Sequence, residues 1–215
     1  MPKLSNEQLE EKYLNLSSYE NEYLARGLKL IAGIDEAGRG PLAGPVVAAA
    51  CILNPEVKIL GLDDSKKLTE KKREALFPEI KQKALAYAVV DVDNNVIDEI
   101  NILEATKSAM RSCVKELESK GYKPEVLLID AVKLEGTDVN EVVPIIKGDA
   151  KSNSIAAASV LAKVTRDHMM RDFDEVYPGY GFAKHKGYGT ADHYKAIREQ
   201  GICPIHRKTF LKVIH

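Results

Sequence analysis

The sequence contains no tryptophan, only three cysteines and no long apolar run. The cysteines, Cys51, Cys113 and Cys203, are odd in number and far apart, which fits neither a disulfide framework nor a set of zinc ligands. No apolar run approaches the roughly 18 residues that span a bilayer, and the polar, acidic start does not resemble a secretion signal. We therefore expect a protein of a reducing compartment, the cytoplasm, with no membrane partner.

A surplus of charge of either sign is also lacking, because 31 Lys and Arg balance 32 Asp and Glu. Proteins that bind nucleic acid usually carry a basic surplus, so this balance alone disfavours such a partner. The balance is uneven along the chain, however. Residues 1–26 carry three basic and five acidic side chains, whereas residues 178–215 carry seven basic and two acidic ones. Net charge therefore leaves the partner open, and the basic C-terminal segment is a candidate for contact with a duplex.

The composition that remains is that of a folded domain, with 45% hydrophobic and 29% charged residues, which excludes a disordered or collagen-like chain. Helical spacing in residues 5–26 predicts a helical N-terminal appendage that ends at Gly27. Beyond it, apolar runs and amphipathic stretches alternate as in an α/β protein. We predict strands over 28–35, 46–53, 87–92, 126–130 and 142–146, and helices over 69–85, 102–119, 155–173, 190–200 and 207–214.

Three of these elements carry more specific expectations. The unbroken apolar run over 46–53 predicts a strand that is buried on both faces. Pro78 predicts either a kink in the helix over 69–85 or the start of a second helix. The helix over 102–119 is strongly amphipathic, and the residues predicted on its apolar side are Leu103, Met110, Val114 and Leu117.

Acidic residues follow three of the predicted strands. Asp35 and Glu36 follow the first strand, Asp130 the fourth and Asp149 the fifth. Ligands of α/β proteins bind at strand ends, and a partly buried carboxylate is costly without a partner. One such acid alone is most simply a helix cap or a loop residue, but three together favour a shared site. Four carboxylates would repel one another unless a cation lay among them, and Mg²⁺ or Mn²⁺ prefers such oxygen ligands.

A glycine-rich turn, Gly38-Arg39-Gly40-Pro41-Leu42-Ala43-Gly44, follows the first pair of acids. Consecutive strand residues point to opposite faces, so a departure from strand geometry here would let both acids serve one site. The spacing matches neither a dinucleotide fingerprint nor a phosphate loop, which disfavours an organic cofactor. The turn would instead let a sugar approach closely, with Arg39 near a phosphate, unless it is only a tight turn.

Several separate motifs resemble those of bacterial ribonuclease HII, the type 2 ribonuclease H. They are, in order, GIDEAGRGPLAGPVV at 33–47, LDDSKKL at 62–68, LIDA at 128–131, KGDAKS at 147–152 and HKGYGT at 185–190. The resemblance implies a ribonuclease H-like α/β fold, with a central mixed β-sheet flanked by helices and further helices at the C-terminus. On this basis the chain divides into a helical N-terminal appendage, residues 1–27, and a catalytic domain, residues 28–215.

The function that the resemblance implies is endonucleolytic hydrolysis of the RNA strand of RNA/DNA hybrids. It includes incision of duplex DNA at embedded ribonucleotides, as needed in DNA replication and repair, and leaves 3′-hydroxyl and 5′-phosphate ends. The implied mechanism uses two metal ions, Mn²⁺ or Mg²⁺, and the implied metal-binding catalytic residues are Asp35, Glu36, Asp130 and Asp149. The implied substrate contacts are Gly38, Arg39 and Gly40 at the 2′-hydroxyl and Tyr188 on the neighbouring sugar, with Lys66, Lys151 and Ser152 as further candidates.

Alternatives to this reading stay open. The candidate lysines have a simpler interpretation, because a surface lysine is by default only a solvated charge. An inert module that binds hybrids is a second class of function, although clustered acids would hinder such binding. A nuclease of the same fold that acts on plain DNA would not need a glycine turn at a 2′-hydroxyl. The related ribonuclease HIII usually has Glu at the fourth acid position and a long N-terminal domain, whereas this chain has Asp149 and a short extension. We expect a monomer without an organic cofactor.

Overall fold

Five strands and eight helices make up the computed structural model, which describes residues 4–211. The strands are β1 (Ile31–Ala37), β2 (Val46–Ile52), β3 (Ala86–Val92), β4 (Val126–Asp130) and β5 (Glu141–Ile145). The helices are α1 (Asn6–Leu16), α2 (Ser18–Ala25), α3 (Glu70–Lys83), α4 (Asn94–Ile100), α5 (Ile102–Ser119), α6 (Asn153–Val176), α7 (Phe182–His185) and α8 (Ala191–Gln200), with 3₁₀ turns at Gly148–Ala150 and Lys208–Phe210. Within the described range, no helix combines the length and apolar character needed to cross a membrane.

The strands form one mixed sheet in the order β3-β2-β1-β4-β5. β1 pairs antiparallel with β2, and β2 pairs antiparallel with β3. β4 lies parallel to β1 and to β5, so the carboxyl ends of these three strands meet at one edge of the sheet. Ile34 lies opposite Ile129 in this register, which places the residues that follow them side by side. The predicted α/β class with a mixed sheet and flanking helices is confirmed.

Helices cover both faces of the sheet. On one face, α5 buries Met110, Cys113 and Leu117 against apolar side chains of β1, β2 and β4. On the other face, the small residues at the start of α6 pack closely against β1 and β2. All seven residues of β2 are buried, so the expectation that this strand is covered on both faces is confirmed.

The close approach of α6 to β1 depends on Gly33. A methyl group at this position would lie 2.1 Å from the main-chain carbonyl carbon of Ser154 and 2.2 Å from the nitrogen of Ile155. Both contacts involve backbone, which cannot move aside as the end of a flexible side chain can. Glycine therefore fixes the distance between the strand that carries Asp35 and the helix that follows Asp149.

The N-terminal segment is helical as predicted, but it forms two helices that meet at Ser17. It packs on the rest of the protein through polar contacts that are partly or fully buried. The side-chain amide of Asn153 donates to the main-chain oxygen of Tyr13, at 2.8 Å, and to the hydroxyl of Ser17, at 2.9 Å. The carboxylate of Glu20 accepts hydrogen bonds from the N-terminal end of α6. These contacts join α1 and α2 to the segment that carries Asp149.

The helices differ from the local expectations in four places. Leu103 is exposed rather than on the buried face of α5, whose first buried residues are Ala105 and Thr106. The chain continues through Pro78 as one helix, α3, with no second helix. The sequence pattern also missed α4, whose cap is the Asp93 side chain, which accepts from two amides. In the predicted helix over 207–214 only a 3₁₀ turn is present, and residues 212–215 lie outside the described part of the chain.

We predict that Gly33→Ala lowers the free energy of unfolding by about 3 kcal/mol or more, because the added methyl group forces β1 and α6 apart. Urea denaturation followed by circular dichroism measures this change. Gly121→Ala is the matched control, since Gly121 has a positive φ of 86° but open space around its Cβ position. Its cost is the backbone strain alone, about 1 kcal/mol. Equal losses in the two variants would contradict the packing argument.

Candidate active site

Three carboxylates meet where the parallel strands end. Asp35 lies near the end of β1, Asp130 is the last residue of β4, and Asp149 lies in the 3₁₀ turn that follows β5. One carboxylate oxygen from each of them lies within 4.8 Å of the other two. The parallel pairing of β1, β4 and β5 creates this cluster, because it aligns the ends of strands that are far apart in sequence.

The carboxylates of this cluster repel one another in partly buried surroundings. Burial, the neighbouring Glu36 and the charge of Asp130 raise the pKa of Asp35 well above its ordinary value. Burial, Asp130 and Asp64 raise the pKa of Asp149 to about 6. Both shifts mean that holding these groups ionised is costly unless a cation shares the site. The sequence pattern did not single out Asp64 as a neighbour of this cluster.

Glu36 borders the cluster without joining the group of three within 4.8 Å. Its amide donates to Oδ1 of Asp35 at 2.7 Å, and its Oε1 lies 3.4 Å from the guanidinium of Arg39. Its other oxygen, Oε2, is buried and has no hydrogen-bond partner among the described residues. Burial raises the pKa of Glu36 as well, although the charge of Arg39 opposes the shift. A buried acceptor of this kind is available to a further donor or to a cation.

These residues fit a divalent cation. Three clustered carboxylates and one unpartnered buried oxygen supply the hard oxygen ligands that Mg²⁺ and Mn²⁺ take. The amide of Gly148 donates to Oδ1 of Asp130 at 2.7 Å and so holds that carboxylate in place. The charges, the burial and the orientation of the acids are therefore all consistent with a metal site.

The side chain of Arg207 holds the glycine turn from the interior of the protein. Its side chain is fully buried, and its guanidinium donates to the main-chain oxygens of Gly38 at 2.6 Å, Arg39 at 3.0 Å and Gly44 at 2.9 Å. Arg207 thus fixes both ends of the turn through carbonyl groups.

Arg166 of α6 supports the same turn from its other side. Its guanidinium donates to the main-chain oxygens of Pro45, Ala43 and Lys186, at 2.9 to 3.0 Å. Burial lowers the pKa of Arg166 to about 10 and that of Arg207 to about 9, which records the cost of placing two cations inside. No local sequence pattern indicates either role, because each guanidinium reaches a turn more than 100 residues away.

Tyr188 lies at the surface beside the glycine turn. Its side chain is 46% exposed, and a methyl group added at Gly40 would lie 3.6 Å from its Cε1 atom. Gly40 and Arg39 are also exposed, whereas Gly38 is buried with a positive φ of 97°. The structure therefore brings together two of the predicted substrate-contacting motifs, with the exposed ring of Tyr188 next to Gly40, which has no side chain.

The remaining predicted substrate contacts differ in their surroundings. Lys66 and Lys151 are exposed. Burial alone would lower the pKa of Lys66, but nearby carboxylates outweigh it and raise the value, Asp35 and Asp64 most strongly. Lys66 therefore faces the acidic cluster as a cation.

The predicted contact of Ser152 with a substrate is wrong. Its side chain is fully buried beneath α2. The hydroxyl donates to Oε1 of Glu20 at 2.6 Å and accepts from the amide of Ile155 at 3.2 Å. The bond to Glu20 holds the start of α6 against α2, and the bond from Ile155 caps α6 itself, so the hydroxyl is not available to a ligand.

The basic C-terminal segment is less open than its sequence suggests. Arg207 is fully buried, and His185, His193 and His206 are buried as well. These residues do not present charge to a duplex, because they face the interior of the protein. Only the exposed lysines and Arg198 of the described part of this segment could do so.

Comparisons with known proteins agree with one another. The family model for Ribonuclease HII matches residues 32–213. Ribonuclease HII of Acetivibrio thermocellus is 57% identical over 210 residues, which are 98% of this chain and 80% of that protein. The crystal structure of the ribonuclease H2 from Pyrococcus horikoshii OT3 superposes with a TM-score of 0.69 at 29% identity, covering 83% of this chain and 92% of that one. Bst-RNase HIII in complex with Mn²⁺ shares the fold, with a TM-score of 0.58 at 19% identity over 82% of this chain and 65% of that one.

We predict that Asp149→Asn stabilises the protein in EDTA, by about 1 kcal/mol, because it removes a charge that Asp130 and Asp64 repel. With saturating Mn²⁺ the order reverses, since the wild type gains more from the cation. Thermal unfolding with and without the metal measures both effects. Asp192→Asn, an exposed acid paired with Lys184, should change neither. A loss of stability for Asp149→Asn in EDTA would contradict the repulsion.

Proposed function

The chain belongs to the ribonuclease HII family, and we propose from its site how it hydrolyses RNA within RNA/DNA hybrids and cuts duplex DNA at embedded ribonucleotides. The products carry 3′-hydroxyl and 5′-phosphate ends. The observation that carries the proposal is the cluster of Asp35, Asp130 and Asp149, whose carboxylate oxygens lie within 4.8 Å of one another beside an exposed glycine turn. A module that only bound nucleic acid would be hindered by acids at this position, because they repel phosphates.

The catalytic centre that we propose consists of Asp35, Glu36, Asp130 and Asp149 as ligands of divalent metal ions. The family requires a divalent metal, and we infer that Mn²⁺ or Mg²⁺ serves, because the donor atoms are all carboxylate oxygens. Metal ions held there would activate water and stabilise the charge on the attacking and leaving oxygens. The protein need not supply a nucleophilic side chain in such a reaction.

The side chains around the acids position the phosphate of the strand that is cut. Lys66 faces the acidic cluster as a cation whose pKa the carboxylates raise, and it is exposed enough to reach a phosphate oxygen. Arg39 is exposed and lies 3.4 Å from Glu36. A substrate phosphate at the metal centre would therefore meet two cationic side chains from the protein. We assign Lys151 no more than a peripheral contact, because it is exposed and has no bond to the cluster.

Selection of a ribonucleotide rests, in this proposal, on the glycine turn and Tyr188. Arg166 and Arg207 turn five carbonyls of the segment 38–45 towards the interior. The amides of Gly38, Arg39 and Gly40 donate to no acceptor within residues 4–211, so they are free to meet a 2′-hydroxyl. That hydroxyl distinguishes RNA from DNA at a single position. The exposed ring of Tyr188 would stack on the neighbouring sugar.

Further features of the whole chain are also proposals. We infer that residues 28–215 form the catalytic domain and that residues 1–27 are an appendage whose helices pack on it. We infer a monomer in the cytoplasm that uses no organic cofactor. The contact of Glu20 with the start of α6 supports a structural role for the appendage.

A cleavage assay tests the proposed function. A labelled DNA duplex with one internal ribonucleotide should be cut next to that ribonucleotide with Mn²⁺ or Mg²⁺, while an all-DNA duplex and an EDTA control stay intact. Mapping the ends of the products checks for 3′-hydroxyl and 5′-phosphate groups. Equal cutting of both duplexes, or no cutting of either with metal present, would sink the proposal.

Replacement of a single acid tests the catalytic centre. Asp130→Asn should lower turnover more than about 100-fold, because a neutral amide is a poor ligand for a divalent cation. Binding of the hybrid, measured by fluorescence anisotropy, should persist. Asp138→Asn, which changes an exposed acid outside the site, is the control and should cleave normally. Near-normal turnover of Asp130→Asn would remove this residue from the centre.

The stacking role of Tyr188 has its own test. Tyr188→Ala should lower kcat/KM on the single-ribonucleotide duplex by at least about tenfold, because it removes the ring on which the nucleotide stacks. Stacking of a base on an aromatic side chain contributes about 1–3 kcal/mol. Tyr188→Phe keeps the ring and should stay within about threefold of the wild type. An unchanged rate for Tyr188→Ala would reject the role, and a loss in Tyr188→Phe equal to that in Tyr188→Ala would assign it to the hydroxyl instead.

A further inference from the structure

A buried cluster of imidazoles lies directly beneath the segment that carries Tyr188. It consists of His185, His193 and His206, which we call the imidazole cluster. The rings of His185 and His193 stack with centroids 4.5 Å apart, and Phe182 contacts all three rings at 5.4 to 6.0 Å. The proposed mechanism does not use these side chains, and they are too deep to touch a substrate.

The hydrogen bond of His193 to the main chain of Tyr188 defines its tautomer. Nδ1 of His193 lies 2.9 Å from the main-chain oxygen of Tyr188. A carbonyl oxygen only accepts, so Nδ1 must carry the proton and donate it to this bond. In a neutral ring the other nitrogen, Nε2, is then an acceptor. Nε2 lies 3.1 Å from Nε2 of His206, so His206 must donate there.

The contacts at the opposite end of the chain of bonds agree with this assignment. If Nε2 of His206 carries its proton, Nδ1 must accept. The main-chain amide of Cys203 lies 2.9 Å from this Nδ1 and can only donate. The main-chain oxygen of Cys203 also lies 3.2 Å from Nδ1 of His206, but that oxygen already accepts from the main-chain amide of His206 at 3.0 Å, so the shorter contact with the amide of Cys203 decides the tautomer. The thiol of the same residue lies 3.1 Å from Nδ1, and burial raises the pKa of that thiol, which keeps it protonated. The donors and acceptors therefore run in one direction, from the amide of Cys203 through His206 and His193 to the carbonyl of Tyr188.

His185 is held in the same way. It accepts from the amide of Gly187 at Nδ1, at 3.2 Å, and donates from Nε2 to the main-chain oxygen of Tyr180, at 2.7 Å. All three rings are thus satisfied as neutral groups by the main chain and by one another. With His206 in this tautomer, a charged His193 would place its Nε2 proton against the Nε2 proton of His206. Burial agrees with this, because it lowers the pKa of His193 to about 4 and lowers that of His206 too.

The amide of Tyr188 donates to the main-chain oxygen of His185, in the same segment, at 3.0 Å, and the long-range bonds of the segment hold the two residues before it. Arg166 donates to the main-chain oxygen of Lys186 at 2.9 Å, and the oxygen of Gly187 accepts from the amide of Leu42 at 2.8 Å. At Tyr188 itself the main-chain oxygen accepts from the amide of Thr190 and from His193. His193 is therefore the only one of these supports that ties the Tyr188 backbone to a different part of the fold, the C-terminal segment around Cys203.

A histidine in a core is usually a packing residue, and here its bonds do more than fill space. We propose that His193 and His206 form a neutral, directional hydrogen-bonded pair that positions Tyr188 against Gly40. They are positioning residues, because they act on the substrate only through Tyr188. The inference rests on the proposed stacking role of Tyr188 for its effect on catalysis, whereas the tautomers and bonds stand apart from that role.

The tautomers are tested without any activity measurement. Long-range ¹H–¹⁵N correlation spectra of the wild type at pH 7 should show His193 as the Nδ1–H tautomer and His206 as the Nε2–H tautomer, both neutral. The uncommon tautomer at His193 is specific to a bond with a carbonyl acceptor, and a ring that merely fills the core has no need of it. An Nε2–H tautomer at His193, or a protonated ring at either position, would overturn the proposal.

Two substitutions at His193 separate positioning from packing. The amide nitrogen of Asn lies close to where Nδ1 of a histidine lies, so His193→Asn keeps a donor for the oxygen of Tyr188, whereas His193→Leu does not. On the single-ribonucleotide duplex we expect kcat/KM to fall about tenfold in His193→Leu and less than about threefold in His193→Asn. His168→Leu, at a half-exposed histidine that pairs with Glu74, is the control and should be unchanged. Equal losses in the Leu and Asn variants would overturn the role of this bond.

A double-mutant cycle separates this proposal from the proposed function. If His193 acts through Tyr188, His193→Leu should have no further effect in the Tyr188→Ala background. The same tenfold loss in both backgrounds would mean that His193 only supports the fold, and it would overturn the proposal. If Tyr188→Ala itself cleaves normally, the stacking role fails and the catalytic part of the proposal falls with it, while the NMR result still decides whether the directional pair exists.

Discussion

The repulsion among Asp35, Asp130 and Asp149 is the constraint on which the rest of the structure depends. Like charges whose oxygens lie within 4.8 Å favour separation, so the fold has to hold them together by other means. The parallel pairing of β1 with β4 and of β4 with β5 supplies the alignment. The contact of α6 with β1 at Gly33 fixes the third acid relative to the first, and the burial of β2 on both faces gives the sheet a rigid centre.

Buried charges of the opposite sign lie beneath the glycine turn, and they too must be stabilised by the surrounding fold. Arg166 and Arg207 are buried cations that bond mainly to carbonyls, and a buried guanidinium is costly unless its donors are used. Six main-chain oxygens satisfy them. One consequence is local order, because a turn rich in glycine would otherwise be mobile. The second consequence concerns the amides of Gly38, Arg39 and Gly40, which donate to no acceptor within residues 4–211. The two cations thus order the turn to which we assign recognition of the ribonucleotide.

Much of the fold and part of the site could be predicted from sequence. The bounds of α5 match the prediction at 102–119 because a strong amphipathic pattern and a glycine stop coincide. The acids at strand ends were found because parallel topology brings such ends together. Ser152 was misassigned, since no local pattern tells which side of the start of α6 the N-terminal helices cover. Arg207 was counted as surface charge for a related reason: its partners lie about 165 residues earlier in the chain.

The near balance of acidic and basic residues, which alone disfavours a nucleic-acid partner, has to be interpreted from where the charges lie in the fold. Three of the acidic side chains gather in one cluster that fits a divalent cation, and two of the basic side chains face the interior. A phosphate that approached the acids without metal would be repelled, so net charge cannot drive recognition at the centre. The groups to which we assign selection of a ribonucleotide are accordingly uncharged: the amides of the glycine turn and the aromatic ring of Tyr188, which the neutral imidazoles beneath it position. A 2′-hydroxyl is itself uncharged, and neutral groups with a fixed direction are suited to recognise it.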